Sequence, residues 1–359
     1  MTAKTLSPVI DKEQIGLLEQ LSNACGILSD VGEVRKIVME RIQPYCDSVK
    51  VDALGNVLAT RKAQQPGALR VMLAAHMDEV GFMVIEGEEG GLFKLVTVGG
   101  IDVRYLPGKP VLVGKDHVPG VIGAKPIHLM KRDEMQTAMD LDGLRLDVGP
   151  DGGDKVKPGD HVYFATRFQQ IGNSLVGKAL DDRIGVVSLI TLLQHAPANV
   201  ELLAAFTTQE EIGLRGARVA AYGFDPDLAF VLDSTPSHDY PSFDGSENRY
   251  FNTRLDAGPA IYVADTGTIS DPRLLQHLLR VAAENNIPYQ IRQPGPGGTD
   301  AGSIHKQRSG IPSVSISVPG RYAHSPVMVS RLSDWKNSLT LVHTALTELP
   351  QTILQRARP

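Results

Sequence analysis

Cysteine is nearly absent: Cys25 and Cys46 are the only two in 359 residues. Two thiols cannot build the multi-bridge framework of a small secreted scaffold, and a long chain with so few is expected to keep them reduced, as in the cytoplasm. The opening MTAKTLSPVIDKEQIGLLEQ lacks the charged-then-apolar layout of a secretory leader, which adds to the cytoplasmic expectation. No apolar run approaches the ~20 residues of a membrane-spanning helix, so no membrane partner is expected. Positive charge is in deficit as well. Against 41 Asp and Glu stand 36 Lys and Arg, for a net charge of −5. The basic residues are scattered, whereas a nucleic-acid partner would favour a basic face. Internal repeats and low-complexity segments are also missing.

What remains is ordinary globular material, 42% hydrophobic and 21% charged, in a length that favours two domains over one core. Helical apolar periodicity runs through 11–25 (Ile15, Leu18, Leu21), 33–42 (Val34, Ile37, Val38, Met39), 182–195, 271–285 and 333–349. Pro272 and Ser333 are suitable start signals. Apolar runs of strand length lie between them at 70–75, 202–206, 228–232 and 312–318. This alternation predicts an α/β fold, a mixed sheet with helices on both faces. The middle differs. "VGFMVIEGEEGGLFKLVTVGG", "KPVLVG", "HVPGVIG" and "VKPGDHVYFAT" read as strands joined by Gly-rich turns, with no helical period. We therefore expect residues 79–166 to form a small all-β domain inserted into an α/β domain of 1–78 and 167–359.

Ligands in open α/β sheets bind at the carboxyl ends of strands. The apolar runs deliver His76 and Asp78 ("RVMLAAHMDEVG"), Asp181 and Asp182 ("SLVGKALDDRIG"), Glu210 and Glu211 ("VELLAAFTTQEEIG"), Asp233 ("LAFVLDST") and His324 ("PSVSISVPGRYAHS"). Singly, each has a plain explanation: a helix cap for Asp182, a hydrogen-bonded structural histidine, a solvated pair of acids. Together, two histidines and several carboxylates make a nitrogen-and-oxygen ligand set suited to zinc or a similar divalent ion. The surplus of acids suggests two ions sharing a carboxylate, spaced roughly 3.5–4 Å as in co-catalytic hydrolases. In extended chain, adjacent side chains diverge. One of Glu210 and Glu211 could then bind an ion while the other faces the ion-bound water as general base.

These segments, with "GGTDAGSIH…RSGIPSVSI…AHSP" and "GVIGAKPIHLM", resemble in order the motifs of the tetrahedral, glutamyl-aminopeptidase-like metallopeptidases over nearly the whole chain. The resemblance implies a zinc-exopeptidase-like fold and removal of N-terminal residues from short peptides. It implies two divalent ions, most simply Zn2+ with Co2+ or Mn2+ as alternatives. Asp181 would bridge them, His76 and Asp233 would complete one, and Glu211 and His324 the other. Glu210 would be the general base, and Asp78 would hydrogen-bond the His76 ring and fix its tautomer. Gly297, Gly298, Thr299 and Asp300 would line the substrate site, and the Asp181–Asp182 peptide would be cis. The β-rich insert would serve dimerisation, with dimers forming a tetrahedral dodecamer and residues 120–140 near a neighbour's active site.

Other readings stay open at this level. A di-metal deacylase or amidohydrolase acting on N-acylated amino acids would use a similar ligand set. A glycoside hydrolase needs carboxylates roughly 5–9.5 Å apart across a sugar, for which adjacent residues are poorly placed. A non-catalytic assembly protein is disfavoured by a competent side chain at every ligand position. "QPGPGGTDAG" lacks the Lys-Ser/Thr of a phosphate loop. Arg292, before that loop, is a candidate for favouring an acidic substrate side chain; His128 could reach an adjacent subunit's site or simply cap a strand, the structural role being favoured, and His305 is read as core or surface and not as a ligand.

Overall fold

Asp11 starts the first helix. Its carboxylate accepts the Glu13 N–H at 2.7 Å, and Gln14 Oε1 accepts the Asp11 N–H at 3.2 Å, so donors that a helix start would orphan are satisfied. The computed structural model describes residues 7–132, 136, 139–242, 244–246, 248 and 252–355. Among them the helices are α1 (Lys12–Asn23), α2 (Gly32–Ile42), α3 (Leu180–Gln194), α4 (Arg215–Phe224), α5 (Pro272–Glu284), α6 (Ala301–Ile304) and α7 (Leu332–Thr347). The first nine strands are β1 (Ser48–Val51), β2 (Val57–Arg61), β3 (Leu69–His76), β4 (Gly81–Glu88), β5 (Leu92–Val98), β6 (Lys109–Val113), β7 (Val118–Ala124), β8 (Leu144–Asp147) and β9 (His161–Phe164). Then follow β10 (Gln169–Ile171), β11 (Ser174–Gly177), β12 (Val200–Thr207), β13 (Leu228–Pro236), β14 (Ala260–Tyr262), β15 (Gln290–Arg292), β16 (Ser313–Arg321) and β17 (Met328–Arg331).

Eleven strands form one mixed sheet. Its main path is β1-β2-β12-β3-β13-β16-β17-β11-β10, with β14 and β15 branching from β16. At its centre β12, β3, β13 and β16 run parallel. A central parallel strand is buried on both faces and reads as an unbroken apolar run, and β3 shows why. Val71, Leu73 and Ala75 pack into the cluster holding Leu18 of α1, Val34 of α2, Ile184 of α3, Leu274 of α5 and Trp335 of α7. Met72 and Ala74 pack into a second cluster with Ala217 and Ala221 of α4 and Ile304 of α6. Helices therefore cover both faces. Across the larger layer Trp335 Nε1 donates to Ser188 Oγ at 2.8 Å, tying α7 to α3.

The remaining six strands close a small barrel in the order β4-β5-β8-β7-β6-β9. It has its own core, including Phe82, Val111, Ile122, Leu146 and Phe164. Phe82 and Phe164 meet edge to face at 5.6 Å. The barrel strands lie within residues 81–164. Gly81, where the barrel starts, has no room for a side chain: a Cβ there would lie 2.2 Å from Ile27 Cδ1 and 2.7 Å from Val162 O. Of residues 120–140, expected near a neighbouring subunit, 133–135 and 137–138 lie outside the described residues.

Between sheet and barrel sits a buried ion network that the sequence did not reveal. Glu79 takes Lys178 Nζ at 2.7 and 2.8 Å, the Gly26 N–H at 3.1 Å and an Arg183 amine at 3.4 Å. All three charged side chains are at most 2% exposed. Removing the single anion would strand two cations away from water. Glu79→Ala is therefore expected to destabilise the fold by ~3–5 kcal/mol, measured as a lower denaturant midpoint; a loss below about 1 kcal/mol would mean that water reaches the network.

Candidate metal centre

His76 is the last residue of β3, and the chain continues straight into Asp78. Both imidazoles of the cluster are held in the same way. His76 Nδ1 lies 3.0 Å from the main-chain oxygen of Asp78, and His324 Nδ1 lies 3.0 Å from that of Gly100. A carbonyl oxygen can only accept, so Nδ1 carries the proton in each ring and Nε2 is turned to the carboxylates. His76 Nε2 stands 3.2 Å from Asp181 Oδ1 and 3.9 Å from Asp233 Oδ1. His324 Nε2 stands 3.6 Å from Asp181 Oδ2 and 3.3 Å from Glu211 Oε2. The two oxygens of Asp181 thus face two different histidines.

Asp78 departs from the expected arrangement. Its carboxylate is 3.7 Å from His76 Nδ1, and the hydrogen bond to the ring goes to its main-chain oxygen instead. The carboxylate accepts the N–H groups of both Glu210, at 3.2 Å, and Glu211, at 3.3 Å. Those acids lie beyond the end of β12 at Thr207, in a turn and not in extended chain. Strand alternation therefore does not separate them, and both line the same cleft. Asn56, wholly buried, cinches this turn: it accepts the Thr208 N–H at 2.9 Å and donates to Gly216 O at 3.1 Å. A Cβ at Gly216 would meet Thr208 O and Asn56 Oδ1 at 2.3 Å, which accounts for the glycine two residues after Leu214.

The peptide between Asp181 and Asp182 is cis. Asp182 Oδ1 accepts the Gly185 N–H at 3.0 Å, the role of a helix cap. It also belongs to a group with His76 and Asp233 whose ligand atoms lie within 4.8 Å of one another; His76, Asp181 and Glu211 form another such group. Sequence spacing could have flagged Asp182 only as a cap.

The electrostatics argue for a cation. Burial, reinforced by Glu211 and Asp300, pushes the Glu210 carboxyl well above its ordinary range. Burial, with Asp182 and Asp181 beside it, does the same for Asp233. Burial raises Glu211 to about 7 despite the nearby His324, and Asp300 to about 6. Asp181 alone in this group is lowered: burial opposes ionisation, but the His76 hydrogen bond and both imidazoles outweigh it. So many acids cannot all ionise in a shared low-dielectric site without positive charge to offset them. The donor set of two imidazoles and several carboxylates fits divalent ions.

The cleft in front of the cluster has a volume of about 590 Å3 and is lined by His76, Asp181, Glu210, Glu211, Asp233 and His324. Its outer wall includes Tyr262, Thr266, Arg292 and the loop glycines Gly297 and Gly298. Thr299 and Asp300 do not line it. They are buried behind the loop, Thr299 sharing a 2.7 Å hydrogen bond with Ser315 and Asp300 accepting one from Thr207 at 2.5 Å. His305 points its Nδ1 at Ala301 O, 2.7 Å away, and His128 is exposed after β7. Ser234, Tyr262 and Thr266 also line the cleft and were not foreseen: Ser234 sits beside Asp233 in the LAFVLDST segment, and no motif surrounds Tyr262 or Thr266.

Residues 55–341 match the M42 glutamyl aminopeptidase family. The chain is 32% identical to a lysyl aminopeptidase of Pyrococcus furiosus, over 88% of this chain and 91% of that one. Among solved structures it resembles a TET aminopeptidase from the archaeon Thaumarchaeota archaeon SCGC AB-539-E09, with a TM-score of 0.90, 33% identity, and 96% and 98% of the two chains covered. A TET1 peptidase of Pyrococcus horikoshii, described as assembling into a tetrahedron or a large octahedral shell, is 30% identical with a TM-score of 0.81, covering 94% of this chain and 100% of that one.

Proposed function

The chain belongs to the M42 glutamyl aminopeptidase family of metal-dependent peptide hydrolases, and from that premise we propose that it releases N-terminal residues from short peptides in the cleft beneath His76 and His324. Asp181 would bridge two divalent ions, His76 and Asp233 completing one and Glu211 and His324 the other. Zinc suits these donors, and cobalt or manganese suits them too. When bound, such ions supply Lewis-acid polarisation of the scissile carbonyl and acidify a water. Glu210 takes the proton of the attacking water and passes it to the leaving amine. Asp78 keeps Glu210 and Glu211 in place through their main-chain N–H groups. Acids in excess of the ions' needs leave negative charge for the substrate's free ammonium group. The observation that supports this reading most is the placing of the two Asp181 oxygens toward two histidines, 3.2 and 3.6 Å away.

The test is a panel of aminoacyl anilides assayed with zinc, cobalt and manganese, each beside its N-acetyl counterpart. Free-amine substrates are expected to be cleaved and the acetylated ones spared. The reverse preference would make the protein a deacylase.

Arg292 bears on which residue is released. It is 2% exposed, lines the cleft, and donates to Pro296 O at 2.8 Å and to Gln293 O at 3.4 Å. Its guanidinium lies over the Tyr262 ring at 4.5 Å, and its Nε has no hydrogen-bond partner. Among the described residues no carboxylate forms an ion pair with it. A buried cation without an anion favours a substrate that brings one. A charge-assisted hydrogen bond contributes ~1.5–3 kcal/mol. Arg292→Gln should accordingly lower kcat/KM on a glutamyl anilide by about 10–100-fold and leave an alanyl anilide within a few-fold. Equal losses on both substrates would remove this assignment.

Residues 1–78 and 167–359 serve in this proposal as the catalytic domain, and 79–166 as an inserted dimerisation domain. Dimers would build a tetrahedral dodecamer, with the protein in the cytoplasm. No helix among the described residues is long and apolar enough to cross a membrane.

A further inference from the structure

A second convergence of ligand atoms lies away from the cleft. Cys25 in the loop after α1, Glu33 in the first turn of α2 and His117 in the turn between β6 and β7 bring a thiol, a carboxylate and an imidazole within 4.8 Å of one another. Two belong to the chain around the large sheet, and the third to the barrel. Glu33 already orients the group. Its Oε2 accepts the Cys25 N–H at 2.9 Å, and its Oε1 stands 2.8 Å from His117 Nε2.

The environment is graded from inside to outside. Cys25 is 4% exposed and packs with Ile27, Val98 and Tyr163 in the apolar seam between sheet domain and barrel. Glu33 and His117 are 45% and 37% exposed. A buried sulfur with two accessible polar ligands leaves an entry path for an ion, whose fourth position a water would fill. One thiolate, one imidazole and one carboxylate form a borderline-soft set of the kind that selects zinc and, in its place, cobalt.

We propose that Cys25, Glu33 and His117 form a zinc site separate from the carboxylate–histidine cleft, clipping the barrel to the body of the protein. Binding replaces the thiol proton: Cys25–SH and a hydrated ion give the thiolate complex and one released proton. Because that proton must leave for the thiolate to bind, the site takes up metal more tightly as pH rises. The inference does not depend on the hydrolytic reading, because the two sites share no residue.

The two sites can be told apart because no cysteine lines the cleft. The full-length protein is loaded with cobalt, and its near-ultraviolet thiolate-to-cobalt charge-transfer band is recorded with the metal content per chain. The band is expected in the unmodified protein and in Cys46→Ser. It should vanish in Cys25→Ser, with one metal equivalent per chain lost. His117→Gln, a change at a half-exposed turn, should weaken or remove the same band, and it stands in for Cys25→Ser if that variant does not fold. A cobalt-loaded protein without the band, or a band that survives Cys25→Ser and disappears in Cys46→Ser, overturns the proposal. So does an unaltered band in His117→Gln. In those cases Glu33 and His117 are a simple hydrogen-bonded pair with a thiol packed beside them.

Discussion

Glu210→Gln is expected to cut kcat by about 10^2–10^4-fold, the range for loss of a general base, with KM and metal content nearly unchanged. The amide has the shape of the carboxylate and cannot accept a proton from water. The main-chain N–H of residue 210 would still bond Asp78 Oδ1, which it now meets at 3.2 Å. The turn from Thr208 to Gly216, held by Asn56, would keep its course. The loss should therefore fall on the chemical step alone. Steady-state kinetics with elemental analysis checks this. Activity within tenfold of the unmodified protein would assign the proton transfer elsewhere, and stripped metal would make Glu210 a ligand.

The second large effect concerns Asp181. Asp181→Ala is expected to remove both ions and to bring aminopeptidase activity to background. Asp233→Ala should cost one ion, since Asp233 Oδ1 is 3.9 Å from His76 Nε2 and no ion pair joins it to His324. The asymmetry is geometric. Asp181 offers one oxygen to each histidine, and no other carboxylate of the cluster is within 4.0 Å of both Nε2 atoms among the described residues. Metal per chain, measured after gel filtration, decides between them. If Asp181→Ala retained one tightly bound ion, the shared-carboxylate arrangement would be wrong.

The parts of this site that were legible in sequence share one property, their place at or just past the end of an apolar run, although Asp233 lies inside β13 and Asp181 in the first turn of α3. His76, Asp181, Glu210, Glu211, Asp233 and His324 each follow an apolar run, and the sheet brings the ends of such runs together. The strand bounds were off by one to four residues: 70–75 became Leu69–His76, 228–232 became Leu228–Pro236, and 312–318 became Ser313–Arg321. Helix α4 was missed because its buried positions are Gly216, Ala217, Ala220, Ala221 and Phe224, mostly residues too small to register as an apolar stripe. Short strands such as β14 and β15, three residues each, give no period at all. Sequence separation hid the rest. Asn56 joins Thr208 across 152 positions, and Lys178 meets Glu79 across 99. No local pattern marks such partners. The Glu210–Glu211 pair teaches a different lesson: its importance was readable, but strand geometry was the wrong reason, since a turn positions both acids.

The carbonyl of Gly100, which steadies the His324 ring at 3.0 Å, comes just after β5 and so from the barrel's side of the molecule. Half the orientation of that imidazole is thus on loan from a module the hydrolytic chemistry would not obviously require. Excising the barrel and rejoining the ends would leave His324 free to swivel, however well the large sheet survived. Forces applied at the barrel, including any from a neighbouring copy, have a short route to the centre of the cleft.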